Sequence, residues 1–124
     1  MITGVVKADE ARIRLTIRGA RGRQHKVDAV LDTGFTASLT LPPAVIAGLG
    51  LPWQSVDTFT LADGSESDVD VYAAQVEWDG RLRTVLVHAA DADPLLGMRL
   101  LRGYELKMLV RHRGPVTIRP LRPG

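Results

Sequence analysis

The stretch Val30-Leu31-Asp32-Thr33-Gly34-Phe35-Thr36 sets an apolar pair directly against a carboxylate, a hydroxyl residue and a glycine. His25 to Leu31 reads as extended chain, and Val30-Leu31 is its apolar end. A carboxylate placed straight after a buried strand is costly to desolvate unless something uses it. Gly34 lacks a Cβ, so two backbones can approach closely there and its N–H can reach a carboxylate oxygen. Thr36 is placed to bond the outer oxygen of Asp32 and hold its plane. Phe35 is expected beneath or beside the loop. Asp-Thr-Gly is also an ordinary turn sequence, so the reading depends on what surrounds it.

Upstream, Arg12-Ile13-Arg14-Leu15-Thr16-Ile17-Arg18 alternates polar and apolar throughout, the pattern of a half-buried strand. Gly19-Ala20-Arg21-Gly22 reads as a turn. Downstream, Ala37 to Leu41 predicts a short strand. Pro42-Pro43 follows, with Pro43 suited to the first turn of a short helix over Ala44-Val45-Ile46-Ala47. Gly48 or Gly50 ends that helix, and Pro52 prevents its extension. Ser55 to Leu61 predicts a strand, Asp63-Gly64 a type I′ hairpin turn, and Val69 to Trp78 the return strand. Asp79-Gly80 makes a second hairpin into Arg81 to His88. Leu82, Val85, Leu86 and Val87 predict that this strand is central and buried. Met98 to Arg102 suits one or two helical turns, and Tyr104 to Val110 and Val116 to Ile118 are the last strands. The expected fold is all-β: a closed barrel with one or two short helices, in a single domain over residues 1–124.

Composition narrows the chemistry. The chain has 124 residues, 45% of them hydrophobic, and a formal net charge of +2. That length suits one compact domain with a real core. With no cysteine, disulfides, iron–sulfur ligation and thiol nucleophiles are excluded. His25, His88 and His112 match no metal-ligand spacing, so neither a metal nor any other cofactor is expected. Charges interrupt the N-terminus before an apolar leader can form. No run approaches the roughly 18 apolar residues of a membrane helix. A soluble, cytoplasmic protein without membrane or nucleic-acid partners is expected. The few aromatics form no stacking cluster with basic residues, which argues against an RNA-binding barrel.

Val30-Leu31-Asp32-Thr33-Gly34 resembles the catalytic loop of retroviral-type aspartic peptidases. Their second signature, two apolar residues and a glycine before a short helix, is matched by Leu95-Leu96-Gly97-Met98-Arg99-Leu100-Leu101. Tyr104 to Val110 with Val116-Thr117-Ile118 resembles the strand pair closing the protease domain of Ddi-type ubiquitin-receptor proteins. Asp-Thr-Gly-Phe with a downstream Leu-Ala-Asp-Gly is similar to a group of small prokaryotic peptidase-like proteins of the same clan. The resemblance runs from about Ile13 to Ile118 and implies a retropepsin-like barrel, one lobe per chain.

It also implies an aspartic endopeptidase acting through Asp32, Thr33 and Gly34. Two Asp32 carboxylates of a homodimer share one proton, since like charges so close cannot both ionise, and activate a water between them. Thr33 bonds across the two-fold axis. Thr36, Leu95, Leu96 and Gly97 support the site, with the glycine letting the chain thread close to the Asp loop. Ala62, Asp63 and Gly64 become the tip of a flap that binds an extended peptide. The flap departs from the retroviral pattern: it has one glycine, and Asp63, Glu66, Asp68 and Asp70 either favour basic peptides or are a solvated face. Only one Asp-Thr-Gly occurs, so an active form needs two chains. The alternative is a non-catalytic peptide-binding or assembly module on the same fold. Trp53 is expected to anchor the short helix and Trp78 to pack at a strand end. His88 and His112 have no carboxylate at a telling spacing and read as structural or surface residues. Asp91-Ala92-Asp93 reads as a turn.

Overall fold

The computed structural model describes residues 1–122. The final two residues of the expected domain, 123–124, lie outside the described residues. Ten strands share one sheet: β1 (Ile2–Lys7), β2 (Glu10–Arg18), β3 (Gln24–Leu31), β4 (Leu39–Leu41), β5 (Trp53–Thr60), β6 (Glu66–Trp78), β7 (Arg81–Ala89), β8 (Leu95–Leu96), β9 (Tyr104–Met108) and β10 (Pro115–Pro120). Their spatial order is β5-β6-β7-β4-β8-β3-β2-β1-β10-β9. A further pairing of β2 with β6, Ile17 opposite Val76 and Arg18 opposite Gln75, closes the run from β6 to β2 on itself. Two short helices, α1 (Pro43–Leu49) and α2 (Met98–Leu101), complete the all-β fold.

The period-2 pattern places the core. In β2, Ile13, Leu15 and Ile17 point inward and are at most 2% exposed, while Arg14 and Arg18 face solvent. Leu39, Leu41, Val76, Val87, Leu96, Leu100, Val116 and Ile118 are fully buried with them. Helix α1 starts with Pro43 in its first turn and ends at Gly50, whose φ of 61° is the left-handed cap that glycine adopts without cost. No helix of the described residues is long and apolar enough to cross a membrane.

Four expectations change. β1 was not anticipated, because its hairpin to β2 turns on Ala8-Asp9, both at positive φ. That is type I′ geometry without the Asn-Gly or Asp-Gly signal. Asp79-Gly80 has the expected type I′ turn, with both φ values positive. Asp63-Gly64 does not: only Gly64 has positive φ, and Leu61 and Ser65 bracket a three-residue loop. Asp63 instead caps the turn, accepting from the Ser65 N–H and hydroxyl at 2.9 and 2.6 Å. Strand β7 is central in order yet only half buried, since Leu82 and Leu86 are each 50% exposed on the face opposite Val85 and Val87. Trp53 does not anchor α1: it opens β5, is exposed, and donates its Nε1–H to Asp70 at 3.1 Å. Trp78 is buried against the edge of Tyr104, and its Nε1 has no partner among the described residues.

Candidate active site

Strand β3 delivers Asp32 to the end of a parallel pairing, Val30 opposite Leu95 and Leu31 opposite Leu96. The Asp32 N–H continues that ladder, donating to the Leu96 carbonyl at 2.9 Å. The chain then turns sharply. Phe35 N–H donates to the Asp32 carbonyl at 3.1 Å, and Gly34 N–H donates to Asp32 Oδ1 at 2.8 Å. Asp32 is half-buried, and one oxygen of its carboxylate is held by its own loop. Thr36 does not take the part expected of it. Its side chain is exposed, and among the described residues no hydrogen bond joins it to Asp32. Thr33 and Gly34 are exposed at the loop's apex.

Leu95, Leu96 and Gly97 sit directly beneath this loop. β8 lies between β3 and β4, with Leu39 opposite Leu96. Gly97 N–H donates to the Ser38 carbonyl at 2.9 Å, and Met98 N–H to the Phe35 carbonyl at 2.8 Å. A Cβ on Gly97 would lie 2.1 Å from the Ala37 carbonyl oxygen and 2.6 Å from the Phe35 ring. The backbones cross so closely that only glycine fits. Thr40 is buried and accepts the Leu95 N–H at 2.9 Å, which satisfies a donor the short strand leaves over.

Ala62, Asp63 and Gly64 form the exposed tip of the β5–β6 hairpin. Among the described residues, no hydrogen bond ties this tip to the Asp32 loop. The hairpin meets the body at its root instead. His88 of β7 is buried, and its Nε2 lies 2.7 Å from Oδ2 of Asp57 on β5. Phe35 and Phe59 both meet the His88 ring in T-shaped contacts, at centroid distances of 6.1 and 5.8 Å. A cavity of about 570 Å³ opens here, lined by Thr36, Asp57, Phe59, Thr84, Leu86, His88 and Arg99 among others. The sequence reading of His88 as a structural or surface residue without a carboxylate partner is corrected here, because Asp57 supplies one across the hairpin. The available signal was a histidine directly after the apolar run Val85-Leu86-Val87, but its carboxylate partner lies 31 residues away.

Electrostatically the hairpin is one-signed. Asp57, Asp63, Glu66, Asp68 and Asp70 lie on it, and no Lys or Arg occurs between Lys26 and Arg81. The Ser65 hydroxyl and N–H hold the Asp63 carboxyl below its ordinary range. Among the described residues, no three His, Asp or Glu side chains gather as a metal ligand set. The arrangement that remains is one oriented carboxylate at a glycine-lined loop, faced by an overhanging hairpin.

No protein-family model and no curated protein matches the chain. Among solved structures, EIAV protease complexed with the inhibitor HBY-793 is similar, with a TM-score of 0.57 and 17% identity over 77% of this chain and 88% of that one. The chain has a retropepsin-like fold.

Proposed function

We propose that the chain is one lobe of an aspartic endopeptidase, completed by a second copy that supplies the other Asp32. The observation that carries this reading is the Asp32 carboxylate, held by the Gly34 N–H at 2.8 Å on a loop threaded by Leu95-Leu96-Gly97. Two such carboxylates facing across a two-fold axis hold one proton between them. The ionised one takes a proton from a bound water, and the water oxygen attacks the scissile carbonyl carbon. The protonated one gives its proton to the carbonyl oxygen, forming a neutral gem-diol. Collapse of the gem-diol breaks the C–N bond, with the carboxylates returning a proton to the leaving amine. Thr33 is the residue that bonds between the two loops, and Ala62, Asp63 and Gly64 close over the peptide as an added strand.

The second copy has a place to dock. β9 is the last strand of the sheet, and β10 covers only one of its edges. An antiparallel pairing of two β9 strands about a two-fold axis at Leu106 puts Glu105 of one copy opposite Lys107 of the other. That register is self-complementary in charge. The same reading takes residues 1–124 as one cytoplasmic domain acting on peptides, in the small prokaryotic Asp-Thr-Gly-Phe group of the clan. The test compares wild type with Asp32→Asn against a peptide library between pH 4 and pH 7, with sedimentation run in parallel. Cleavage confined to the wild type is the expected result. A stable dimer that cleaves nothing at any pH would replace this reading with a peptide-binding module.

A further inference from the structure

Strand β6 belongs to two structures at once. From Val71 to Trp78 it pairs with β7, and the last rung of that ladder is Val71 opposite His88. Beyond this rung, from Asp70 to Glu66, it runs on with β5 alone. β5 ends the sheet, and all eight of its residues are exposed. The hairpin therefore overhangs the barrel, with His88 at the line where it departs.

His88 is where the overhang is fastened. Asp57 and Phe59 lie on one face of β5, at the second and fourth of the five rungs beyond the root, opposite Val69 and Ser67. Both reach His88, Asp57 by the 2.7 Å bond to Nε2 and Phe59 by edge contact. Phe35, three residues after Asp32, makes a T-shaped contact with the same ring. The side chain of His88 is 7% exposed and that of Asp57 is 51% exposed. The fastening thus has a fixed half in the barrel and a half-solvated one on the hairpin. The other ring nitrogen, Nδ1, is buried without a partner among the described residues, so the bond to Asp57 is the one side-chain hydrogen bond the ring makes among them.

We propose that His88 and Asp57 form a latch: positioning residues that hold the β5–β6 hairpin closed and, through Phe35, tie its closure to the geometry of the Asp32 loop. The bond joins a buried barrel residue to a half-solvated residue of the edge strand, so breaking it releases the hairpin without disturbing the barrel core. As an element of the peptidase the latch rests on the function proposed above, but it is measurable in the absence of any substrate.

The chain has no cysteine, so spin labels can be placed cleanly. Labels on Ala62→Cys at the tip and Arg14→Cys on β2, in chains diluted with unlabelled protein, read the tip-to-barrel distance by pulsed electron resonance. The expected wild-type result is one short-distance population. Asp57→Ala should raise the ratio of long- to short-distance populations roughly ten- to hundredfold, as befits a hydrogen bond to a charged group. Asp57→Asn, which keeps an acceptor for the ring N–H, should fall between the two. Asp57 is half-solvated, so its variants leave the core intact, and the urea midpoint checks this. An unchanged distance distribution in Asp57→Ala overturns the latch. So does an Asp57→Asn distribution as open as that of Asp57→Ala. Neither outcome depends on cleavage, so failure of the latch and failure of the peptidase reading are separable.

Discussion

The two glycines of the candidate site, Gly97 and Gly34, should respond to a methyl group in different ways. At Gly97, a Cβ would lie 2.1 Å from the Ala37 carbonyl oxygen and 2.8 Å from that of Phe35. Both obstacles are backbone, so the chain must move rather than a side chain swing aside. Forcing a methyl into such a packed site costs about 1–3 kcal/mol. The movement also strains two hydrogen bonds, Gly97 N–H to Ser38 and Met98 N–H to Phe35, at about 1 kcal/mol each. Gly97→Ala should therefore cost about 3–5 kcal/mol, against a total of about 5–15 kcal/mol for a typical domain. At Gly34 a Cβ would meet only Asp32 Oδ1, at 3.2 Å. Gly34→Ala should cost less than about 1 kcal/mol while narrowing the space where a second chain approaches. Urea unfolding at fixed protomer concentration measures both, and the Gly97→Ala midpoint should fall by about 1–3 M. Equal midpoints for the two variants, or a Gly97→Ala chain as stable as wild type, would refute the claim that the second signature works by backbone crossing.

Leu39→Ala, at a fully buried position opposite both Leu96 and Val87, should cost about 2–5 kcal/mol in the same assay. The Asp63 carboxyl lies below its ordinary range because it accepts from Ser65, so the order it lends the hairpin turn is present above the ordinary carboxylate range. That order is lost as pH falls through the lowered value. Amide exchange at Ser65, corrected for intrinsic rate, should speed up at acid pH in wild type and show no such step in Asp63→Asn. Lys107→Glu should weaken self-association by placing like charges across the β9 pair, and adding Glu105→Lys should restore it. Sedimentation equilibrium of the three proteins checks this.

Much of the architecture was legible because it rests on local chemistry. Alternation in Arg12 to Arg18 marks β2 and its core face, Pro43 and Gly50 bracket α1, and Asp79-Gly80 marks a hairpin. Where the reading failed, a second local signal was missing or a tertiary contact overrode the first. Ala8-Asp9 turns at positive φ without glycine because the strands on either side hold it there. Leu82 and Leu86 look buried by composition, but a strand has two faces and only Val85 and Val87 point into the core. Trp53 follows a proline and reads as an anchor. A register shift after it puts it on the acidic outer face of the hairpin, bonded to Asp70.

The amino-acid sequence by itself determined the core face of β2, the helix α1, the Asp79-Gly80 turn, and the two short signatures around Asp32 and Gly97. Each of these is written in residues a few positions apart. Only the tertiary structure decided that Leu96 and Asp32 share a ladder, that Gly97 passes under Phe35, and that His88 meets Asp57. Those contacts join residues 31 or more positions apart, and no periodicity or turn propensity spans that distance. They exist because closing the sheet through β2 and β6 brings remote strand ends to one place.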